Sequence, residues 1–432
     1  MKVLINGDAV VSSGFARATH AAADALHAAG HEVHVLGINY FGDPHEYPYK
    51  IYPCRQPIDD GTDGFGVGRL PTLAARLQPD VILLLNDPWN VPEYVRSLVA
   101  RTPKDRAIPP VVSWIAVDSR TQHAGPLNRG IAHLAPWTQF GLDELRAGGY
   151  TGPATVVPLG VDPSKYYPIN KAEARRAFGL QNIPGFDIEK SFLVGAIGRN
   201  QPRKRLDLTI EYFADWLKST EGSKEGMADA FLYLHIAPTD DRGYDLKSLA
   251  RFHGLRNRVI IGETAAGAGA PESMMLNVYN MLDLYFTTSQ GEGWGLPCHE
   301  AMACGVPCLV PANSAFLCWP GEPGNGSGVY GVPCSQTAVT APLNSTPYTV
   351  GSVMDKGAAM VKLHAFYGIS PEARAVYGER GRQKALELTW ENSGLQMRQL
   401  LEQVVADAKK ATPVVAGDLM DILAATDVGE RP

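Results

Sequence analysis

The sequence is poor in the features that mark secreted, membrane-spanning or metal-bound proteins. Of its 432 residues only six are cysteine, five of them between Cys298 and Cys334, and no two are spaced C-x-x-C. That usage argues against a disulfide framework or a zinc site and for buried thiols in a reducing compartment. No stretch approaches 18 consecutive apolar residues, so no membrane-spanning helix is expected. The opening MKVLING runs straight into a strand pattern, and its apolar part is too short for a signal peptide, so a cytoplasmic location is expected. The sequons at Asn325 and Asn344 carry no weight without secretion. A formal net charge of -6 and a pI near 6.0 argue against a protein that coats nucleic acid.

What is present describes a globular protein. Apolar residues make up 45% and charged residues 19%, and the length exceeds one comfortable core, which predicts two domains of about 200 residues. Strand-like runs alternate with helical segments: KVLIN, HEVHVLGI, Val81–Leu85, Val111–Val117 and Ala154–Gly160. Between the first two, Phe15, Ala18, Ala22, Leu26 and Ala29 recur at helical spacing, and Gly30 closes the helix. Continuous apolar strands separated by helices predict parallel sheets covered on both faces, a doubly wound α/β class. The alternation restarts at SFLVGAIG and continues through FLYLHIA, VIIG, LYFTT and VPCLVP. The expected organisation is a domain over 1–168, a linker over 169–190, a second domain over 191–388 with a Gly-, Pro- and Ser-rich insertion at 312–350, an amphipathic helix over 389–410 and a frayed tail over 411–432. The insertion reads as a long surface loop, or as a lid that contacts an acceptor through Phe316, Trp319, Tyr330 or Tyr348.

Two carboxylates frame the most informative segment. Glu292 and Glu300 bracket EGWGLPCHE, eight positions apart. A glycine-rich turn leading into a helix offers backbone N–H donors at Gly293, Gly295 and Leu296, together with the positive end of the helix dipole, to a phosphate. Glu300, one turn into that helix, is placed to accept hydrogen bonds from a ribose diol, and Glu292 faces whatever the phosphate carries. A second segment, GRNQPRKRLDL, follows directly after the strand SFLVGAI and contributes Arg199 and Lys204, a guanidinium and an ammonium able to neutralise a diphosphate. In the first domain the loop holding Ser12, Ser13 and Gly14 lets backbone approach a phosphate or sugar, while Ser13 equally suits a helix N-cap.

The string GEGWGLPCHEAMACGVPCLVP resembles the E-x7-E signature of retaining glycosyltransferases, the large family that includes sucrose-phosphate synthases and bacterial mannosyltransferases. GVDPSKYYP at 160–168 is similar to that family's string at the end of the N-terminal domain. The resemblance implies the GT-B fold: two Rossmann-like domains facing across a cleft, with a C-terminal helix crossing back to the first. It implies a nucleoside-diphosphate sugar, UDP- or GDP-linked, as co-substrate and no further cofactor. Arg199 and Lys204 would stabilise the leaving diphosphate, Glu292 would orient the donor sugar and Glu300 would hold the ribose. Ser13, Gly14, Gly293, Gly295 and Leu296 complete the donor contacts. No D-x-D motif occurs, so a divalent metal is not expected to hold the diphosphate. The family often has a histidine near the end of the Val111–Val117 strand. This chain has Asp118 there, with His123 further on, which leaves open which side chain touches the sugar: Asp118 is a candidate sugar contact or proton acceptor, or else a turn-forming residue, and His123 is the other candidate.

The reading is therefore a metal-independent retaining hexosyl- or pentosyltransferase that moves a sugar to a hydroxyl acceptor, a small sugar or glycoside, without integral membrane association. Trp89, Trp114, Trp137, Tyr40 and Phe41 are candidate acceptor contacts near strand ends. Asp162 reads as structural. A DNA-modifying transferase acting on a hydroxylated base stays open should Arg120, Arg129 and Arg146 cluster. A sugar-nucleotide epimerase would share the expected fold, but the string GLPCHEAMACGVP disfavours it. A non-catalytic carbohydrate-binding protein would not need Arg199 and Lys204 together with both glutamates.

Overall fold

The computed structural model describes residues 1–54, 63–120, 123–219, 229–236, 243–255, 257–262, 272–317, 328–339 and 350–424. The first part of the chain runs β1 (Lys2–Asp8), α1 (Gly14–Ala28), β2 (Glu32–Ile38), β3 (Lys50–Pro53), α2 (Arg69–Leu77), β4 (Val81–Leu85), α3 (Val91–Arg101), β5 (Val111–Ile115), β6 (His133–Pro136) and α4 (Gln139–Ala147). Then come α5 (Lys171–Ala177), β7 (Phe192–Ile197), α6 (Leu206–Lys218), β8 (Ala230–His235), α7 (Leu246–Phe252), β9 (Val259–Ile261), α8 (Glu272–Asn280), β10 (Leu284–Phe286), α9 (Leu296–Ala303) and β11 (Cys308–Pro311). The last elements are β12 (Val329–Val332), β13 (Cys334–Val339), β14 (Val350–Met354), α10 (Lys356–Gly368), α11 (Pro371–Ala385), α12 (Trp390–Ala408) and α13 (Ala416–Ala424).

These elements form two units. The first comprises 1–117, 121–159 and 390–432; the second comprises 118–120 and 160–389. Among the described residues the first unit holds a six-stranded sheet in the order β3-β2-β1-β4-β5-β6, parallel throughout. The second holds another, β12-β11-β10-β7-β8-β9, also parallel, plus the antiparallel pair β13–β14. Every residue of β4, β5, β7 and β8 is buried, as strands covered on both faces require. In each sheet the chain winds first to one side of a central strand and later to the other. The reversal falls between β1 and β4 in the first unit and between β7 and β10 in the second. Open parallel sheets place their ligand crevice at the carboxyl end of such a reversal.

Several expectations need correction. Residues 154–160 are not a strand of their own. They run beside β6, accepting from Leu134 at Pro153 and donating from Thr155 and Val157, but Pro153 and Pro158 lack the N–H groups of a continuous ladder. Residues 169–190, expected as a linker, carry α5, and Arg175 on that helix is buried against Asp283 at 2.6 Å. The segment 312–350 is not one structureless insertion: β12 adds a sixth strand to the second sheet and β13 pairs with β14. Trp319, Tyr348 and the two sequons lie outside the described residues. The tail after Lys410 is ordered through α13, which packs on α3 with Leu419 buried, while Val415 pairs with Ala107. Helix α12 packs on α1, and Gly394 permits the approach, since a Cβ there would collide with the Ala21 carbonyl oxygen.

Candidate functional site

At the second unit's reversal point two loops meet. Gly198 to Arg205 follows β7, and Thr287 to Gly295 follows β10. The first loop is shaped by Asn200, whose carboxamide donates to the Tyr244 carbonyl and accepts from the Tyr244 N–H, both at 2.8 Å. A single turn of 3-10 helix (Pro202–Lys204) then brings the backbone to Arg205, held at φ 48° before α6 begins. Left-handed backbone at a non-glycine residue costs energy, and Arg205 is fixed there by Asp207, which accepts from its guanidinium at 3.0 Å, and by Thr288, which donates to its carbonyl at 2.7 Å. The second loop is buried from Thr287 to Gly295. Gln290 N–H donates to the Arg203 carbonyl at 2.9 Å, and the Glu292 N–H donates to Ser314 Oγ at 2.9 Å.

Across this junction the side chains form one ionic cluster. Lys204 Nζ bonds Glu292 Oε1, and Arg203 sits 3.3 Å from Glu292 Oε2 and 3.3 Å from Asp118 Oδ2. Arg203 also donates to the Gly291 carbonyl. Burial pushes the Glu292 carboxyl upward, but the Lys204 and Arg203 charges outweigh it and hold the group down at about 2. Burial pulls the Lys204 ammonium below its ordinary value, against the pull of Glu292. Asp118 also accepts from Ser119 Oγ at 3.0 Å, and its carbonyl is so near Gly291 that a Cβ there would collide with it.

The loop ends at Gly295, φ 86°, where α9 starts, and Glu300 lies one turn further on, buried. The Tyr279 hydroxyl donates to Glu300 Oε2 at 2.5 Å. Both glutamates, Lys204, Asp118, Gly293, Gly295 and Leu296 therefore belong to the second unit. Arg199 follows β7 in the same loop, exposed. Ser13 and Gly14 belong to the first unit. There Ser13 caps α1, accepting from the Ala16 N–H at 3.0 Å and donating to Asp8 at 2.6 Å.

Three partners lie beyond what the motifs indicate. Arg203 reads in the sequence only as a neighbour of Lys204, and its position one residue before that lysine is the available signal. Ser314 and Tyr279 carry none, since each reaches the site from another element. Other candidates resolve differently. Trp114 is fully buried, its indole donating to the Val157 carbonyl at 2.8 Å, and Trp137 and Tyr40 are buried too. Asp162 closes a turn by accepting from Ser164. Arg146 is spent on the carbonyls of Tyr150 and Gly152. His123 is exposed. Among the described residues, no group of three or more His, Cys, Asp or Glu is placed to hold a metal, and no helix is long and apolar enough to cross a membrane. The five described cysteines, of which all but Cys334 are buried, form no disulfide.

Residues 182–318, which contain both loops, match the family Glycosyl transferases group 1. The chain carries a glycosyl transferases group 1 domain. It is 30% identical over 173 residues to the lipopolysaccharide core biosynthesis mannosyltransferase LpsB of Rhizobium meliloti, 38% of this chain and 42% of that protein. It is 29% identical over 161 residues to the D-inositol 3-phosphate glycosyltransferase of Actinosynnema mirum, 36% of this chain and 35% of the other. Each match thus spans less than half of its relative. The sucrose-phosphate synthase structure from Thermosynechococcus elongatus superposes with a TM-score of 0.68 at 18% identity, covering 94% of this chain and 99% of that one. The fold is therefore the two-domain GT-B fold.

Proposed function

We propose that the protein is a retaining glycosyltransferase that takes a sugar from a UDP- or GDP-linked donor and passes it to a hydroxyl acceptor. The observation that carries this reading is the half-buried cluster of Lys204, Arg203 and Glu292 at the reversal between β7 and β10, beside the start of α9. A diphosphate laid there meets Lys204, Arg199 and the opening amides of α9, which favour negative charge. Tyr279 fixes the orientation of Glu300, which suits a carboxylate that holds a ribose diol. Glu292, already ionised, would orient the donor sugar and favour positive charge on its ring. As the glycosidic bond breaks, charge grows on the departing phosphate, and preorganised cations lower the barrier without rearranging. No divalent ion is needed in this scheme, because the cations are side chains.

The test is donor hydrolysis. Incubated with a panel of UDP- and GDP-sugars and no acceptor, the enzyme releases the nucleoside diphosphate slowly from one of them, with the anomeric configuration of the released sugar retained. Failure to turn over any nucleotide sugar, with or without acceptors, overturns the reading.

A further inference from the structure

Between Glu292 and α9 the chain reads Gly293-Trp294-Gly295, a large ring flanked by two glycines. Glycine permits this turn, with Gly295 at φ 86°, but does not hold it, because its backbone has the most conformational freedom to lose. The Trp294 ring is the anchor. It is buried, and its indole N–H donates to Nδ1 of His299 at 3.2 Å. His299 sits early in α9, fully buried, with its ring centroid 5.8 Å from that of Trp294. Its other nitrogen, Nε2, lies 2.9 Å from the carbonyl oxygen of Ala385, the last residue of α11.

These partners fix the tautomer of His299. A carbonyl only accepts, so Nε2 carries the proton; an indole N–H only donates, so Nδ1 is bare. Burial holds the imidazole at about 4, against the opposing pull of the Ala385 carbonyl, so the ring is neutral at pH 7 and keeps Nδ1 as an acceptor. The Ala385 carbonyl is satisfied without the histidine, since the Leu388 N–H also donates to it at 3.2 Å. The Leu388 carbonyl in turn accepts from the Val161 N–H at 3.0 Å, so this end of the connection is tied to a further segment of the second unit. A buried imidazole costs desolvation that an apolar side chain of similar size avoids. What the imidazole adds is an oriented acceptor that meets the indole.

The turn that Trp294 anchors joins the two halves of the donor loop: Glu292 precedes it, and the first amides of α9 follow it. We infer that His299 is a positioning residue for donor turnover. Through Trp294 it holds the 293–295 turn, so that the Glu292 carboxylate and the Gly293, Gly295 and Leu296 amides stand where the sugar and diphosphate of the donor arrive. Buried behind the turn, it touches no substrate itself. Without the indole's anchor the two glycines are free to move, and a misplacement of about 1 Å at such a site costs about 100-fold in rate. The inference rests on the glycosyltransferase reading above and adds to it a residue that acts only through another.

The test uses the full chain, labelled with nitrogen-15 in its indoles, and the nucleotide sugar that the wild-type protein hydrolyses. His299→Leu and Trp294→Phe should each lower kcat/KM for donor hydrolysis about 10- to 100-fold, mostly in kcat. The double variant should lose no more than the worse single one, as residues that act as a unit do. His299→Asn puts an amide oxygen in the place of Nδ1 but does not reach Ala385, and it should regain most of the loss. The Trp294 indole N–H signal, identified among the seven tryptophans by its disappearance in Trp294→Phe, should shift in His299→Leu and return toward its wild-type position in His299→Asn. Near-normal rates in both single variants, losses that add in the double variant, an indole signal indifferent to His299→Leu, or His299→Asn behaving like His299→Leu overturns the inference. Should His299→Leu fold too poorly to assay, Trp294→Phe and His299→Asn carry the comparison: turnover lost in the first and kept in the second supports it, and any other pattern overturns it. Failure of the wild-type protein to hydrolyse any nucleotide sugar sinks the donor reading instead, whereas the indole signal reads the Trp294–His299 bond without substrate.

Discussion

Glu292 and Lys204 depend on each other for their charge. Both are nearly buried, with side-chain exposures of 10% and 15%, and each would be forced toward neutrality without its partner. The carboxyl is held at about 2, below the ordinary glutamate value of about 4.3. A depressed acid contributes stability above its unfolded value and loses it as the pH falls through its folded value. Glu292 therefore stabilises the fold above about pH 4.3 and ceases to do so as the pH approaches 2. Replacing Lys204 by Met leaves Glu292 with Arg203 as its remaining cation. At pH 7 the variant is expected to lose about 3 kcal/mol, the scale for a buried charge deprived of its partner. That deficit should shrink as the pH is lowered, because protonation then removes the poorly paired charge. Urea unfolding from pH 7 to pH 4 checks this; a deficit independent of pH contradicts the mutual dependence. Kinetics gives a second reading of the same residues. Arg199→Ala and Lys204→Ala should each cost about 2–4 kcal/mol in kcat/KM for the donor, as loss of one preorganised electrostatic group does. Glu300→Gln should raise the donor KM more than it lowers kcat, since a ribose contact is shared by ground and transition states. Steady-state rates on the donor that hydrolyses decide both.

Elements hold these residues through close backbone approaches that only glycine allows. Gly291 lies against the Asp118 carbonyl, Gly378 on α11 against the Gly305 carbonyl, and Gly394 on α12 against the Ala21 carbonyl of α1. Gly394→Ala is expected to lower stability by about 2 kcal/mol or more through overpacking, while leaving kcat/KM for donor hydrolysis near normal. Thermal unfolding combined with the hydrolysis assay tests that separation. The central strands are legible in the sequence because both of their faces are buried, so VILLL and FLVGAI read as unbroken apolar runs. Of the strands that the pattern hides, β3, β6 and β12 are edges of the two six-stranded sheets. They are four residues long and include Pro53, Pro136 or Gly331, which an edge tolerates and a central strand does not. Helix α13 is hidden because its anchoring is tertiary: Ala416 and Gly417 donate to the carbonyls of Arg106 and Lys104, and Leu419 joins the core over α3. At the site, the motif residues are legible one by one. The linkage of Lys204 and Arg203 to the Glu292 loop is not, because a sequence separation of 88 residues leaves no local signal.

At the scale of the whole chain, charge and site pull in opposite directions. The protein carries a formal net charge of -6, yet the loops after β7 and β10 gather Arg199, Arg203 and Lys204 against Glu292 and Asp118. An anionic ligand is thus drawn by a local excess of one cation inside an acidic molecule, and its affinity should fall as salt screens that excess. Whether side chains alone suffice for the diphosphate is the question on which metal independence turns. With no D-x-D pair to chelate an ion, UDP or GDP should stabilise the protein equally in EDTA and in magnesium. At a concentration about 100 times its Kd the nucleotide adds about 2.7 kcal/mol, which shows as a rise in the unfolding temperature. Lys204→Ala should reduce that rise, and added salt should diminish it in the wild-type protein. If EDTA abolishes the rise and magnesium restores it, the cluster is not by itself the diphosphate's counter-charge, and a divalent ion must neutralise it together with Arg199 and Lys204.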